Sequence, residues 1–146
     1  MIAETIFVRR NLASVYSAFA DLNNWTQVLP DILDVEVLYD DHYHQEFLMR
    51  VERPTGIETI RGIRFCSPTE RIEIFQPVPP PLFSRMVGVW TFKAVEEGTE
   101  VKAERWFHLK DKNASVEVAG EKLRGYLQKN LGLFKESLEK KNAVFT

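Results

Sequence analysis

The sequence predicts an α+β fold in which a curved, seven-stranded antiparallel sheet wraps around a long C-terminal helix. Three observations lead there. Between residues 33 and 109 the chain offers six consecutive segments of alternating apolar and polar residues, separated by turn residues. After them runs a stripe of apolar residues at helical spacing. Before them lie one short β-rich run and two short helical segments. A meander of that length twists and curls, and the concave side is where the helix finds cover for its stripe.

Ile2 to Val8 is the first strand. Asn11 supplies an N-cap for a helix with Leu12, Val15, Phe19 and Leu22 on one face, stopped at Asn23-Asn24. A second short helical turn is expected over Thr26 to Leu29, ended by Pro30. Leu33, Val35, Val37 and Tyr39 then alternate with Asp34, Glu36 and Asp40, the pattern of a strand with one wet face. Tyr43 to Arg53 alternates through Phe47, Met49 and Val51, and Pro54-Thr55-Gly56 turns the chain. Ile57 to Cys66, Arg71 to Gln76, Ser84 to Val95 and Thr99 to Leu109 complete the sheet. A stiff connection, Pro77 to Pro81, precedes the final hairpin around Glu96-Glu97-Gly98. The closing helix spans about Ser115 to Lys140, with Val116, Ala119, Leu123, Leu127, Leu131, Phe134 and Leu138 as its stripe. Gly120, Gly125 and Gly132 lower its intrinsic helicity, so packing has to hold it.

At 146 residues the chain reads as one domain, residues 1–146, able to bury a real core. A formal net charge of −2, with basic residues dispersed among acidic ones, argues against nucleic acid and anionic membranes. No apolar run approaches the roughly 20 residues of a membrane span. The first residues show no signal-peptide pattern, and the lone Cys66 fits a reducing compartment, so a cytoplasmic protein is expected. His42, His44 and His108 lack the spacing of a metal cluster, and no phosphate loop or catalytic triad is present. No metal or organic cofactor is expected.

A curved sheet and a straight helix do not match perfectly, and the gap between them suits an apolar or aromatic small molecule. Strand parity places Arg64 inward with Ile60, Gly62 and Cys66. Arg105 lies on the face of Val101, Ala103, Phe107 and Leu109. A buried cation is costly unless something pairs with it, so both arginines are candidate site residues. Trp25, Phe47, Met49, Met86 and Trp90 are candidate wall residues, and Gly88 leaves room beside Met86 and Trp90. Tyr39, Tyr43 and Tyr126 fall on inward faces and could offer hydroxyls, as Asn130 on the inner stripe could offer an amide. Cys66 reads as a small hydrophobe and Trp106 as a surface aromatic.

Asn24-Trp25 ahead of Leu29-Pro30, and Gly88-Val-Trp-Thr-Phe before Gly98-Thr-Glu-Val, resemble the helix-grip superfamily of START lipid carriers, birch-pollen-allergen-like proteins and polyketide cyclases. Arg64 before Ser67-Pro68, the Arg71-Ile strand start, the Gln76-to-Pro80 loop and Met86-Val-Gly-Val-Trp are similar to single-domain polyketide aromatase/cyclases. That resemblance implies aldol ring closure and dehydration of a poly-β-ketone, delivered by an acyl carrier protein, without a cofactor. It implies that Arg64 binds or polarises a ketone, that Arg105 occupies a second polar position, and that Trp25 and Trp90 shape the pocket. Three positions depart from the family pattern: Ile32 replaces a tyrosine, Pro77 an arginine, and Arg105 a His or Gln. A carrier for a lipid or aromatic metabolite needs the same cavity without catalysis, and a regulatory partner would fill it with side chains. Oligomeric state is left open, a homodimer among the options.

Overall fold

The computed structural model describes residues 1–145, with side chains over residues 1–140. The chain runs β1 (Ile2–Val8), α1 (Leu12–Ala20), a 3-10 turn (Leu22–Asn24), α2 (Trp25–Val28), then β2 (Ile32–Asp40), β3 (His44–Arg53), β4 (Gly56–Ser67), β5 (Arg71–Phe75), β6 (Phe83–Val95) and β7 (Gly98–Leu109). Helix α3 (Val116–Phe145) closes it. All seven strands form one antiparallel sheet in the order β1-β7-β6-β5-β4-β3-β2. Each hairpin neighbour in sequence is a neighbour in space, and β1 returns to pair with β7 from Ile2 opposite Arg105 to Val8 opposite Thr99. The helix-grip architecture expected from the sequence is the one observed.

Helix α1 begins as anticipated, with the Asn11 side chain accepting from the Ser14 amide at 2.8 Å. It ends earlier than its apolar face suggested. Asp21 is extended, and its carboxylate accepts from the Asn23 amide at 3.0 Å, so Leu22 starts a separate 3-10 turn while staying in the core. Helix α3 buries Leu127, Leu131, Phe134 and Leu138 on the concave face, and Phe134 stacks on Phe19 at 4.1 Å. Val116 is exposed, contrary to its place in the sequence stripe, because the first turn of α3 precedes the buried section that starts at Ala119 and Gly120. The helix also covers the open edge at β1: Lys135 donates to the Phe7 carbonyl at 2.6 Å, and Arg124 reaches Glu4 at 3.2 Å.

The opposite edge corrects two expectations. Tyr39 and Tyr43 were expected to face inward but are 55% and 57% exposed. Strand β2 has register shifts at Ile32/Asp34 and Val37/Tyr39, and each shift breaks the alternation on which the parity argument stands. The Tyr39 hydroxyl instead donates to Asp41 at 3.0 Å. Tyr43 falls in the β2–β3 turn, where His42 adopts a φ of 75° and the Asp41 carboxylate accepts from the Tyr43 and His44 amides. Among the described residues, no helix is long and apolar enough to cross a membrane.

Gly98 opens β7 directly against β1, and a Cβ there would meet the Val8 carbonyl oxygen and the Phe7 ring. Backbone cannot yield as a side-chain tip can. Gly98→Ala is expected to cost about 1–3 kcal/mol of unfolding free energy in urea titration, and a wild-type value would contradict this contact.

Candidate functional site

Between the concave face and α3 lies a cavity of about 340 Å³, within the roughly 300–1,000 Å³ of small-molecule sites. Aromatic and aliphatic side chains from both layers make most of its wall, including Trp25, Phe47, Trp90, Leu127 and Phe134. Its polar members are Arg53, Gln76, Arg105, Lys122, Tyr126 and Asn130. The charged ones are all cations. Among the described residues, no Asp, Glu, His or Cys lines it.

Arg105 points inward as its strand parity requires. In register it faces Gly88 on β6, and a Cβ on Gly88 would lie 2.5 Å from its Nη1. The glycine therefore lets the guanidinium lie flat across β6, where it sits 4.5 Å from the Trp90 ring centroid. Nη1 donates to the carbonyl of Glu104 at 2.8 Å. No carboxylate pairs with Arg105 among the described residues. Burial pushes its pKa down to about 10, and the Trp90 face supplies only a cation–π contact in return. Arg105 is thus a cation with unused hydrogen-bonding capacity on a greasy wall.

Arg64 also points inward, but behind that wall. It is fully buried and does not line the cavity. Its Nε donates to Gln45 Oε1 at 2.9 Å and its Nη2 to the Ala20 carbonyl at 2.8 Å. Gln45 Nε2 donates to the same carbonyl at 2.9 Å and to Asp40 at 3.2 Å. The guanidinium lies 5.3 Å from the Trp25 ring and 5.9 Å from the Trp90 ring, so these indoles stand between it and the cavity. Burial pushes its pKa down to about 10, partly offset by the negative potential of nearby groups. Beside it, burial raises the Tyr16 hydroxyl and the Cys66 thiol above their usual ranges. The thiol and the Tyr16 hydroxyl influence one another, yet no hydrogen bond of normal geometry satisfies that hydroxyl, nor does one satisfy Arg64 Nη1.

Arg64 and Gln45 cap the last turn of α1, whose carbonyls have no partner within the helix. The Asp21 amide takes Ser17 O at 2.9 Å, Asn24 Nδ2 takes Ala18 O at 3.1 Å, and Trp25 Nε1 takes Phe19 O at 2.9 Å. Trp25 is thereby fixed edge-on to Trp90, 5.8 Å between centroids.

Of the residues singled out from sequence, the structure brings Trp25, Phe47, Met49, Met86, Trp90, Arg105, Tyr126 and Asn130 onto one cavity. Gly88 contributes the space under Arg105. Tyr39 lies far out on the edge strand, and Arg64 is fully buried outside the cavity lining. The sequence reading passed over Arg53, Gln76 and Lys122. Parity held the signal for two of them: Arg53 continues the Phe47-Met49-Val51 face, and Gln76 the Ile72-Ile74 face. Lys122 lies three residues from Ala119 and four from Tyr126 on α3, which is helical neighbour spacing.

A curved antiparallel sheet gripping a helix over an internal cavity defines a helix-grip protein. The chain belongs to the family described as polyketide cyclase/dehydrase and lipid transport, which matches residues 8–130. Among solved structures it is similar to the di-domain aromatase/cyclase StfQ from the steffimycin biosynthetic pathway, with 23% identity and a TM-score of 0.84 over 97% of this chain. This chain spans about half of that protein, 52%. It is also similar to the Zhui aromatase/cyclase from a Streptomyces species, with 19% identity and a TM-score of 0.81, covering 96% of this chain and 93% of that one. Ara h 8.0201 shares the fold at 11% identity and a TM-score of 0.75, covering 95% of this chain and 97% of that one. At these identities the likeness is one of fold. No curated protein sequence matches the chain.

The two arginines should separate in stability measurements. Arg64→Met removes hydrogen bonds from a charged group to the α1 terminus and should lower unfolding free energy by about 2–3 kcal/mol. Arg105→Met removes a half-buried cation that has no carboxylate partner among the described residues and should leave stability unchanged or raised. Equal losses in urea titration would contradict this division.

Proposed function

We propose that this chain binds an apolar, oxygen-bearing chain of the poly-β-ketone type in the cavity and promotes its aldol ring closure and dehydration. It does so as a single domain, receiving its substrate from an acyl carrier protein. The observation that carries the reading is the Arg105 guanidinium, without a carboxylate partner among the described residues, on a mostly apolar wall. The family includes cyclases as well as lipid binders, which makes the assignment chemically coherent.

In this mechanism the wall folds the chain so that one methylene carbon approaches a distant ketone, discarding conformers that lead to other rings. A methylene between two carbonyls loses a proton to give an enolate, whose oxygen Arg105 holds. The enolate carbon attacks the ketone carbon, and the new alkoxide takes up a proton. Loss of a second α-proton and of hydroxide, together one water, leaves the conjugated ring. Arg105 remains a cation throughout and acts only on developing negative charge. Tyr126, Lys122 and solvent are the proton carriers at the wall, with the substrate's own 1,3-dicarbonyl acidity lowering the demand on them. Arg64 is assigned a positioning role: it holds Trp25 and the α1 terminus and does not touch the guest.

A second reading, a carrier for lipids or aromatic metabolites, is favoured by one observation: the wall offers no carboxylate, imidazole or thiol as a general base. Incubation with a carrier-protein-bound poly-β-ketone separates the two, since only the enzyme changes the distribution of cyclised products. Loss of one such electrostatic donor costs about 100-fold or more in rate. Arg105→Met is therefore expected to reduce ring-selective product by roughly that factor, read by product chromatography, while the fold persists. A product distribution identical with and without protein would leave the carrier reading.

Binding of a carboxylate probe should be flat between pH 6 and 9. The direction follows from Arg105: its lowered pKa, about 10, still lies above that window, so the cation is retained throughout. A titration midpoint inside the window, measured by calorimetry, would assign binding to a group other than Arg105.

A further inference from the structure

Arg105 is not the only unsatisfied polar group on this wall. Gln76 lines the cavity, and its buried Oε1 has no hydrogen-bond partner among the described residues. A buried acceptor left without a donor is costly, and a neutral amide oxygen seeks an O–H or N–H. Gln76 follows directly on β5, where Ile72 and Ile74 face the core, and then meets Pro77. Ile74 pairs with Gly88, and Gly88 pairs with Arg105, so these three positions form one row across the sheet. Gln76 lies two residues beyond Ile74, one row further along the same face, roughly 7 Å in the strand direction. The wall therefore holds a cation that wants an oxygen acceptor and, one row away, an acceptor that wants a donor; that oxygen is shielded in this structure and meets a guest by a turn of the Gln76 side chain. Met86 and Phe83, which also line the cavity, keep the surroundings apolar.

We propose that Gln76 and Arg105 form a two-point recognition site that selects guests carrying a hydroxyl as well as a carbonyl or carboxylate oxygen. Arg105 donates to the carbonyl or carboxylate, and Gln76 Oε1 accepts from the hydroxyl. For a poly-β-ketone that hydroxyl is an enol; for a cyclised product it is a phenol. Gln76 is then a specificity-determining residue, holding the tautomer or product that carries an O–H at that row. The inference deepens the reading of the cavity as a guest site and does not depend on ring closure.

The test uses isothermal titration calorimetry with the intact chain, taking 2-naphthoate as the reference probe. The comparison set is 3-, 6- and 7-hydroxy-2-naphthoate with their methoxy counterparts, which can accept but not donate. At least one hydroxy isomer should bind about fivefold tighter than 2-naphthoate, the size of one net hydrogen bond, and its methoxy partner should not. Gln76→Leu and the longer Gln76→Met, whose thioether is at most a weak acceptor, should both abolish that preference while still binding 2-naphthoate. Retained naphthoate binding also proves that the variants fold. Arg105→Met should weaken every carboxylate probe and leave 2-naphthol little changed. The proposal is overturned if no hydroxy isomer gains, if a methoxy partner gains equally, or if the preference survives in both Gln76 variants. Ring-closure assays read a separate outcome: a protein that shows the hydroxyl preference but makes no ring keeps this inference and loses the cyclase reading.

Discussion

The binding of the last carbonyls of α1 by side chains governs the rest of the structure. The helix ends without a glycine, at an extended Asp21, so the backbone cannot cap itself in the left-handed manner common at helix C-termini. Asn24, Trp25, Gln45 and Arg64 take over. A cation at that terminus also meets the negative end of the helix dipole. One set of bonds therefore ties α1 to β3 and β4, orients the Trp25 indole, and neutralises much of the cost of burying Arg64. With Trp25 fixed, Trp90 packs edge-on to it, and the face of Trp90 becomes the platform on which Arg105 lies.

The two arginines thus show how identical chemistry acquires different roles from its surroundings. Arg64 has two oxygen acceptors, a helix terminus and aromatic faces. Arg105 has one carbonyl from its neighbouring residue and one indole face. In a low-dielectric wall the difference is large, because an unsatisfied guanidinium gains far more from an oxygen ligand there than it would in water. Arg53 and Lys122 add positive charge to the same wall, although Arg53 is partly engaged by Glu58 at 3.6 Å and stacks 5.0 Å from the Tyr126 ring centroid. A chain of net charge −2 has concentrated only cations around its cavity.

Most of the fold was legible in the sequence because one physical signal repeats along the chain. Six alternating segments with turn residues specify a meander, and the helical stripe from Ala119 to Leu138 specifies what the meander grips. Parity also placed Phe47, Met49, Trp90 and Arg105 correctly, since β3, β6 and β7 are regular where these residues lie. It failed at Tyr39, where register shifts in an edge strand break the alternation. It could not separate Arg64 from Arg105 either. Alternation gives the face of a sheet but not the depth, and depth was decided by Ala20, a partner 44 residues away in sequence. Gln76 was overlooked for a different reason: it ends the strand expected over Arg71 to Gln76, and its place on the face of Ile72 and Ile74 was not followed to that last residue.

The absence of a carboxylate, imidazole or thiol from the wall, among the described residues, also shapes what chemistry this cavity can perform. A general base is indispensable when the carbon acid is weak. A methylene flanked by two carbonyls is a much stronger acid than one flanked by a single carbonyl, and an electrophile on the enolate oxygen lowers its pKa further. Water or a tyrosine hydroxyl then suffices for proton exchange, and the difficult part of the reaction becomes choosing which carbon meets which ketone. That choice is geometric. It requires a rigid apolar wall to exclude misfolded chains and a small number of polar points to fix the register of the oxygens. In the proposed ring closure Trp25 and Trp90, locked by the α1 terminus, would serve the first requirement, and Arg105 and Gln76, one row apart on the same face, would supply two points for the second. The same pair would also orient a bound guest in a carrier, so orientation alone is shared by both readings and only bond formation distinguishes them.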